Sequence, residues 1–328
     1  MANKLPLTLA CWNYDRTRAL ADGRVEIDGV ELRYVHLEPE EIFFRMLNYG
    51  EFDAAEMSLS TYLLTHLADG PFVAIPVFPS RMFRHTSVYV NGAAGIHKAQ
   101  DLAGKTVGVA EYQLTANVWI RGILADHYGV PVASVKYRTG GLNTAGRHEK
   151  FSLKLPPEID IAAVAEGQTL SGLLAAGELD AVYSPRAPES FSGPSVRRLF
   201  DDSRAEEERY YSETGVFPIM HVLVIHRRVY ESNRWIAREL LKAFTAAKDI
   251  AFAELRRTVA LSISLPWVRE EFESTVDRMG SDFWAYGIEA NRTVLSSFIR
   301  YAHAQGLIDT TPEPEDLFAP ETGEQFII

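Results

Sequence analysis

One phrase occurs twice in this chain and sets the plan of the fold. Gly50-Glu51-Phe52-Asp53-Ala54 leads into Ala55-Glu56-Met57-Ser58, and Gly177-Glu178-Leu179-Asp180-Ala181 leads into Val182-Tyr183-Ser184-Pro185-Arg186. Each copy follows an apolar helical stretch and reads as a helix stopped by glycine, an acidic turn, and a short buried strand with polar groups at its end. The copies are too far apart for solenoid repeats but suit two lobes built on one plan. Two such α/β lobes face each other across a cleft where strand ends and helix N-termini converge on a small ligand. Coincidence is the bland alternative, because a glycine stop before a strand occurs in any α/β protein.

The 328 residues are 47% hydrophobic and 23% charged, a soluble globular composition that supplies cores for two domains. A net charge of −11 argues against nucleic acid as a partner; a local basic cluster inside a cleft is still compatible with it. Cys11 is the only cysteine, so neither an intrachain disulfide nor a thiolate metal cluster is available. In its apolar setting the thiol reads as a small core filler. The N-terminal apolar run is too short for a secretory signal, and no stretch reaches the ~18 apolar residues of a membrane span. The expectation is a cytoplasmic protein without a membrane partner.

Along the chain, Leu5–Trp12 and Glu31–Leu37 read as strands, Glu40–Tyr49 and Ser60–Leu67 as helices, and Ala54–Met57, Val73–Phe78 and Thr86–Asn91 as further strands. Ser58 or Ser60 is placed to cap the second helix. Between the last two strands, Pro79–His85 reads as a loop rich in cations and aromatics. A new unit then begins, with the strand Thr106–Ala110, the helix Thr115–Tyr128, the strand Val135–Arg138 and a long basic loop over Gly140–Pro157. Asp201–Glu208 reads as an acidic solvated segment. Met220–His226 is a strand, followed by the helices Asn233–Arg257, Pro266–Met279 and Ala290–Gln305. A first lobe interrupted by a complete second lobe gives a discontinuous domain: 1–95 with 212–328, and 96–211. This is the topology of the type II periplasmic-binding-protein fold, an α/β architecture of mixed sheets flanked by helices, with hinge closure over the cleft between lobes.

Candidate site residues gather at strand ends. Arg81, Arg84 and His85 are three cations within five residues, suited to an anionic ligand because the guanidinium fork grips carboxylates; local pairing with acidic residues is the other reading. Ser184 and Arg186, on a stiff loop after the second copy of the phrase, are placed to meet a carboxylate, or else Arg186 is a surface residue between prolines. Glu56 and Ser58 hold the matching place in the first lobe, where Glu56 is either buried with a partner or aimed at the cleft. His221, at the start of an apolar strand, is a core histidine or, paired with His85 across a cleft, a proton donor near neutral pH. Trp12, Asn13, Tyr14 and Arg16 offer an aromatic wall and polar contacts, with Trp12 as plain core the alternative. Glu111 and Tyr112 end a strand, and Thr115 is placed to cap the next helix, whose N-terminus favours an anion. Walker, dinucleotide-binding, His-Glu-x-x-His and Gly-x-Ser-x-Gly signatures are absent. A divalent metal on His85, His221 and a carboxylate stays open, with no spacing that favours it.

Four segments together resemble the 4,5-dihydroxyphthalate decarboxylase family: Phe52–Ser58, Arg81–His85, Gly146-Arg147-His148-Glu149-Lys150, and Gly177–Ala181 continuing through Ser184-Pro185-Arg186-Ala187-Pro188. The last is the most specific, and the likeness runs from the first strand to the late helices. It implies non-oxidative removal of one carboxylate from a dihydroxylated aromatic diacid, giving protocatechuate and carbon dioxide. Arg81, Arg84 and Arg186 would hold the dianion, and His85 or His221 would protonate the ring carbon. A ring hydroxyl provides the electron push, so no organic cofactor is expected. The expected partner is the small aromatic carboxylate itself, with a homo-oligomer left open. Two alternatives stand beside this: a solute-binding protein for an aromatic or other small carboxylate, and another lyase of the same fold.

Overall fold

In the computed structural model, which describes residues 4–323, the chain opens with β1 (Leu5–Ala10), α1 (Asp15–Ala21), β2 (Val30–Val35), α2 (Pro39–Tyr49), β3 (Ala54–Ser58), α3 (Leu59–Leu67) and β4 (Phe72–Arg81). There follow β5 (Val88–Asn91), β6 (Thr106–Val109), α4 (Thr115–Tyr128), β7 (Lys136–Thr139), β8 (Ile161–Ala163), α5 (Leu170–Ala176), β9 (Ala181–Tyr183), β10 (Val196–Arg198) and α6 (Ser203–Thr214). The chain ends with β11 (Ile219–His226), α7 (Arg227–Ser232), α8 (Ile236–Leu255), α9 (Val268–Met279) and α10 (Arg292–Ala304). Among the described residues no helix is long and apolar enough to cross a membrane.

These elements form two units. The first holds the residues up to Arg81, Ile219–Thr293 and those from Pro312 onward; the second holds Met82–Pro218 and Val294–Thr311. The division differs from 1–95, 212–328 and 96–211 for a hydrogen-bonding reason: β5 pairs with β9 and β10 and so belongs to the second sheet. Most of α10 goes with it, because Phe298 and Tyr301 pack on Trp119 of α4.

In the first unit the sheet order is β2-β1-β3-β11-β4, with β1, β2 and β3 parallel and β11 antiparallel to both neighbours. Leu7, Leu9, Ile75, Val77, Leu223 and Ile225 turn one face into a core. The stripe Ile236, Leu240, Phe244 and Ala247 of α8 covers it, at the spacing that puts apolar residues on one helix face. The second unit has the order β10-β5-β9-β6-β7-β8, with a parallel centre and antiparallel β5. Its core includes Leu170, Leu174, Leu179 and Val182.

The repeated phrase does the same job in each unit. Gly50 and Gly177 end α2 and α5 at φ of 55° and 75°, the left-handed region where a side chain is strained. Three residues on, Asp53 Oδ2 accepts the Thr8 amide at 2.8 Å and Asp180 Oδ2 accepts the Thr106 amide at 2.8 Å. Each aspartate thereby fastens the start of its strand, β3 or β9, beside the first parallel strand of its unit, β1 or β6.

Several local expectations change. Pro79–Arg81 is strand rather than loop; β4 lies at the sheet edge, and Pro79 falls in the register shift between the Ile75–Leu223 and Ser80–His221 pairs, where a proline is tolerated. Thr86 belongs to a 3₁₀ turn, His85–Ser87, and β5 starts at Val88. The acidic segment from Ser203 is helical, capped by Asp202 Oδ1 on the Ala205 amide and laced by Arg204–Glu208 and Arg209–Glu213. β1 ends at Ala10 rather than Trp12, and the turn after it leads into α1, which carries Arg16.

Candidate active site

β3 is buried at all five positions, yet it carries Glu56, which is 0% exposed. An unpartnered carboxylate there would cost several kcal/mol, and the sheet provides partners on both sides. From β11, His221 Nδ1 lies 2.5 Å from Oε1. From the segment after β1, the Tyr14 hydroxyl donates to the same oxygen at 2.6 Å, while the Trp12 amide donates to Oε2 at 3.0 Å and the Cys11 thiol at 3.4 Å. Burial pushes the Glu56 carboxyl up, but His221, Tyr14 and Trp12 outweigh it and hold the group below its ordinary value. Burial and the Glu56 charge raise both Tyr14 and Cys11, so each stays protonated and remains a donor.

The His221 ring is 19% exposed, and the edge of Phe43 packs on it at 4.9 Å. Nearby, Arg16 is clamped between the rings of Tyr14 and Trp284 at 4.1 and 4.0 Å, and its Nε donates to Pro79 O at 2.8 Å. Ser58 is buried opposite His221 in the β3–β11 register; it holds the N-cap position of α3, without a side-chain cap bond. Trp12 is half-buried and Asn13 exposed.

The cationic trio is divided. Arg81 belongs to the first unit, where its Nη2 donates to Ala285 O at 2.8 Å and to Asn291 Oδ1, tying the 285–291 segment to β4. Arg84 and His85 belong to the second unit. Burial brings Arg84 down to about 10, opposed by Glu207. His85 sits among the rings of Tyr128, Phe200 and Tyr210, with neither ring nitrogen hydrogen-bonded among the described residues, and burial lowers it to about 4. At neutral pH it is an uncharged imidazole in an aromatic cage rather than the cation expected from its neighbours in sequence.

In the second unit the polar groups collect where β6 and β9 end. Glu111 is 1% exposed, and its Oε1 is held by Arg147 Nη2 at 2.7 Å and Lys150 Nζ at 3.5 Å. Gln113 Nε2 donates to Oε2 at 2.5 Å. The basic loop therefore closes on Glu111. Thr115 is the first residue of α4, and Leu114 takes the cap position that the sequence assigned to the threonine. Beyond β9, Ser184 is buried and its hydroxyl accepts the Arg186 amide at 3.2 Å, while Arg186 itself is exposed.

The sequence reading missed Arg121, which is 2% exposed and stacks 3.8 Å from the Tyr112 ring. The signal was present: Arg121 falls between Val118 and Leu124 on the buried face of α4. Among the described residues no three His, Cys, Asp or Glu side chains gather as a metal site.

No protein-family model matches the chain. The chain is 43% identical over 329 residues to the 4,5-dihydroxyphthalate decarboxylase of Comamonas testosteroni, covering 99% of this chain and 100% of that one. To the 4,5-dihydroxyphthalate decarboxylase of Pseudomonas putida it is 47% identical over 212 residues, 64% of this chain and 82% of that one. Among solved structures, the aliphatic sulphonate binding protein SsuA of Escherichia coli has a TM-score of 0.52 at 13% identity, covering 98% and 99% of the two chains. The SsuA sulfonate-binding protein of Methylobacillus flagellatus has a TM-score of 0.55 at 13% identity, covering 98% and 93%. At that identity the structures establish the fold alone, the type II periplasmic-binding-protein architecture. The sequence match along the full length of the Comamonas protein says more: this chain belongs to the 4,5-dihydroxyphthalate decarboxylase family.

Proposed function

We propose that the chain decarboxylates 4,5-dihydroxyphthalate to protocatechuate and carbon dioxide, with His221 as the general acid and Glu56 as the carboxylate that orients it. The assignment rests on one contact, Nδ1 of His221 at 2.5 Å from Oε1 of Glu56. A carboxylate on Nδ1 fixes the ring's orientation and stabilises the imidazolium, leaving Nε2 of the partly exposed ring to deliver a proton. Tyr14, Trp12 and Cys11 keep the carboxylate in place and ionised.

The chemistry balances without an oxidant or reductant. The hydroxyl para to the departing carboxylate pushes electron density to the carbon that bears it. His221 donates a proton to that carbon, forming the new C–H bond. The C–C bond to the carboxylate then breaks, its electron pair restores the aromatic ring, and carbon dioxide leaves. The neutral imidazole regains its proton from solvent, so each turnover consumes one proton. Arg186, exposed on the loop after β9 within the Ser184–Pro188 segment that carries the family resemblance, is assigned to binding a substrate carboxylate. Arg81 and Arg84 are assigned structural roles, since both guanidinium groups are buried, and Arg81 is bonded to a backbone carbonyl and an amide side chain.

Incubation with 4,5-dihydroxyphthalate tests the reading. Protocatechuate and carbon dioxide should appear in equal amounts, and in deuterated water one deuterium should sit on the ring carbon that lost its carboxylate. Binding of the diacid without either product would instead make the chain a carrier.

A further inference from the structure

Residues 140–157 contain no helix or strand, yet around Arg147–Lys150 the segment is bound to the end of β6. Arg147 and Lys150 reach Glu111, while Glu149 accepts the backbone amides of Tyr112 and Gln113. Two successive amides at a strand-to-helix turn, just ahead of the 14-residue α4, form a concave donor pair suited to a carboxylate. Beneath it lies Arg121, whose Nε donates to Gln305 Oε1 at 2.8 Å and whose Nη2 donates to Tyr112 O at 2.6 Å. Those partners are neutral, and Nη1 has none among the described residues. Glu149 Oε2, Gln113 Oε1, Asn117 Oδ1 and the Tyr183 hydroxyl are likewise buried and unpartnered.

A buried guanidinium without a bonded counter-charge is costly, and five unpaired polar atoms in one neighbourhood are more than a native core tolerates without an occupant. Glu149 fits the place badly. Burial raises its carboxyl above the ordinary value even against the Tyr112 and Gln113 amides and the nearby Arg121 charge, repulsion from Glu111 adds to the rise, and one of its oxygens goes unused. The geometry points to Glu149 as an internal stand-in: the Tyr112–Gln113 amides over Arg121 form a subsite for the carboxylate of a small aromatic acid, and the 140–157 strap plugs it until the ligand displaces Glu149. The identity of that acid rests on the decarboxylase reading; the plug itself does not.

Phthalate, a diacid lacking the hydroxyls that drive loss of carbon dioxide, is the probe. Calorimetric titration should show Glu149→Ala binding phthalate about tenfold more tightly than wild type, because removing a competing closed state raises apparent affinity by the inverse of the open fraction, here about one tenth. Glu149→Gln, which keeps the acceptor but not the charge, should fall between them and serves if the alanine variant fails to fold. Trypsin should cut after Arg147 and Lys150 faster when phthalate is bound to wild type, and fast without ligand in the alanine variant. Unchanged or weaker affinity in both variants, absence of phthalate binding, or protection of the strap by phthalate would overturn the plug. Tightened phthalate binding without turnover of 4,5-dihydroxyphthalate would keep the plug and remove the decarboxylase reading. Intact turnover with unaltered phthalate affinity in both variants would do the reverse.

Discussion

His221 Nδ1 stands 2.5 Å from Oε1 of Glu56, on adjacent antiparallel strands whose register pairs Leu223 with Glu56 and His221 with Ser58. The contact joins a buried carboxylate to a partly exposed imidazole, so one partner holds charge while the other meets solvent or ligand. His221→Asn should lower kcat by about 10²–10⁴, the usual worth of a positioned general acid, with phthalate affinity within a few-fold of wild type. Glu56→Gln should lose a similar factor in kcat, because the imidazolium loses its counter-charge. Rates for both variants, together with deuterium incorporation at the vacated carbon, check this. Full activity in His221→Asn would remove the histidine from the reaction.

Glu56 also ties stability to pH. Its folded-state value lies below the ordinary 4.5, so the unfolded chain binds its proton first. The stabilisation is complete above the unfolded value and is lost as pH falls through the folded one. Urea unfolding of wild type should weaken below about pH 4.5 in part through this group, and Glu56→Gln should flatten that limb while lowering stability at pH 7.

His85 acts in a higher window. Its value is lowered from 6.5 to about 4 by burial among aromatic rings. Between those two pH values the unfolded chain binds the proton and the folded one does not, so stability falls as pH drops from 6.5 toward 4. A shift of this size corresponds to a loss on the order of 3 kcal/mol. His85→Phe should abolish that slope, keep wild-type stability at pH 8, and leave kcat within a few-fold of wild type. Unfolding curves at a series of pH values, with assays beside them, separate a caged core residue from a catalytic one.

Arg186→Ala should raise KM for 4,5-dihydroxyphthalate roughly tenfold to a hundredfold with kcat nearly unchanged, as expected for a guanidinium that holds substrate and transition state equally. Arg186→Lys should recover only part of the loss, since the ammonium lacks the planar fork. Unaltered KM in both variants would take the residue out of the site.

Local signals in the sequence located what local physics decides. Gly50 and Gly177 mark helix ends because only a left-handed residue terminates a helix that way, and the apolar face of α4 gives its bounds to the residue. Glu56 stands out as a charge inside an apolar strand, but its partner lies 165 positions away and depends on which strand β11 joins. The run Arg81–His85 reads as one cationic cluster; folding divides it, because β4 continues through Arg81 before the chain leaves the first unit. The helix over Ser203–Thr214 was hidden by its polarity, since ion pairs and an N-cap rather than an apolar stripe hold it. Glu149 offers no periodic signal at all, as it lies in a segment without secondary structure.

The duplicated phrase makes a paired prediction about stability. Asp53→Ala and Asp180→Ala each remove a charged acceptor from a strand amide, so each should cost about 1.5–3 kcal/mol, and by similar amounts if the two copies are equivalent. The glycines should differ. Alanine at either position carries the left-handed penalty of about 1–2 kcal/mol. At Gly50, however, the new Cβ would lie 3.0 Å from His226 Nε2, whereas at Gly177 its nearest neighbour is Asn91 Nδ2 at 3.7 Å, an ordinary contact. Gly50→Ala must therefore displace a side chain in addition to straining the backbone, and denaturant unfolding should rank it as the more damaging of the two. Equal losses would mean that the His226 ring swings aside freely, leaving the backbone term alone to set the cost at both helix ends.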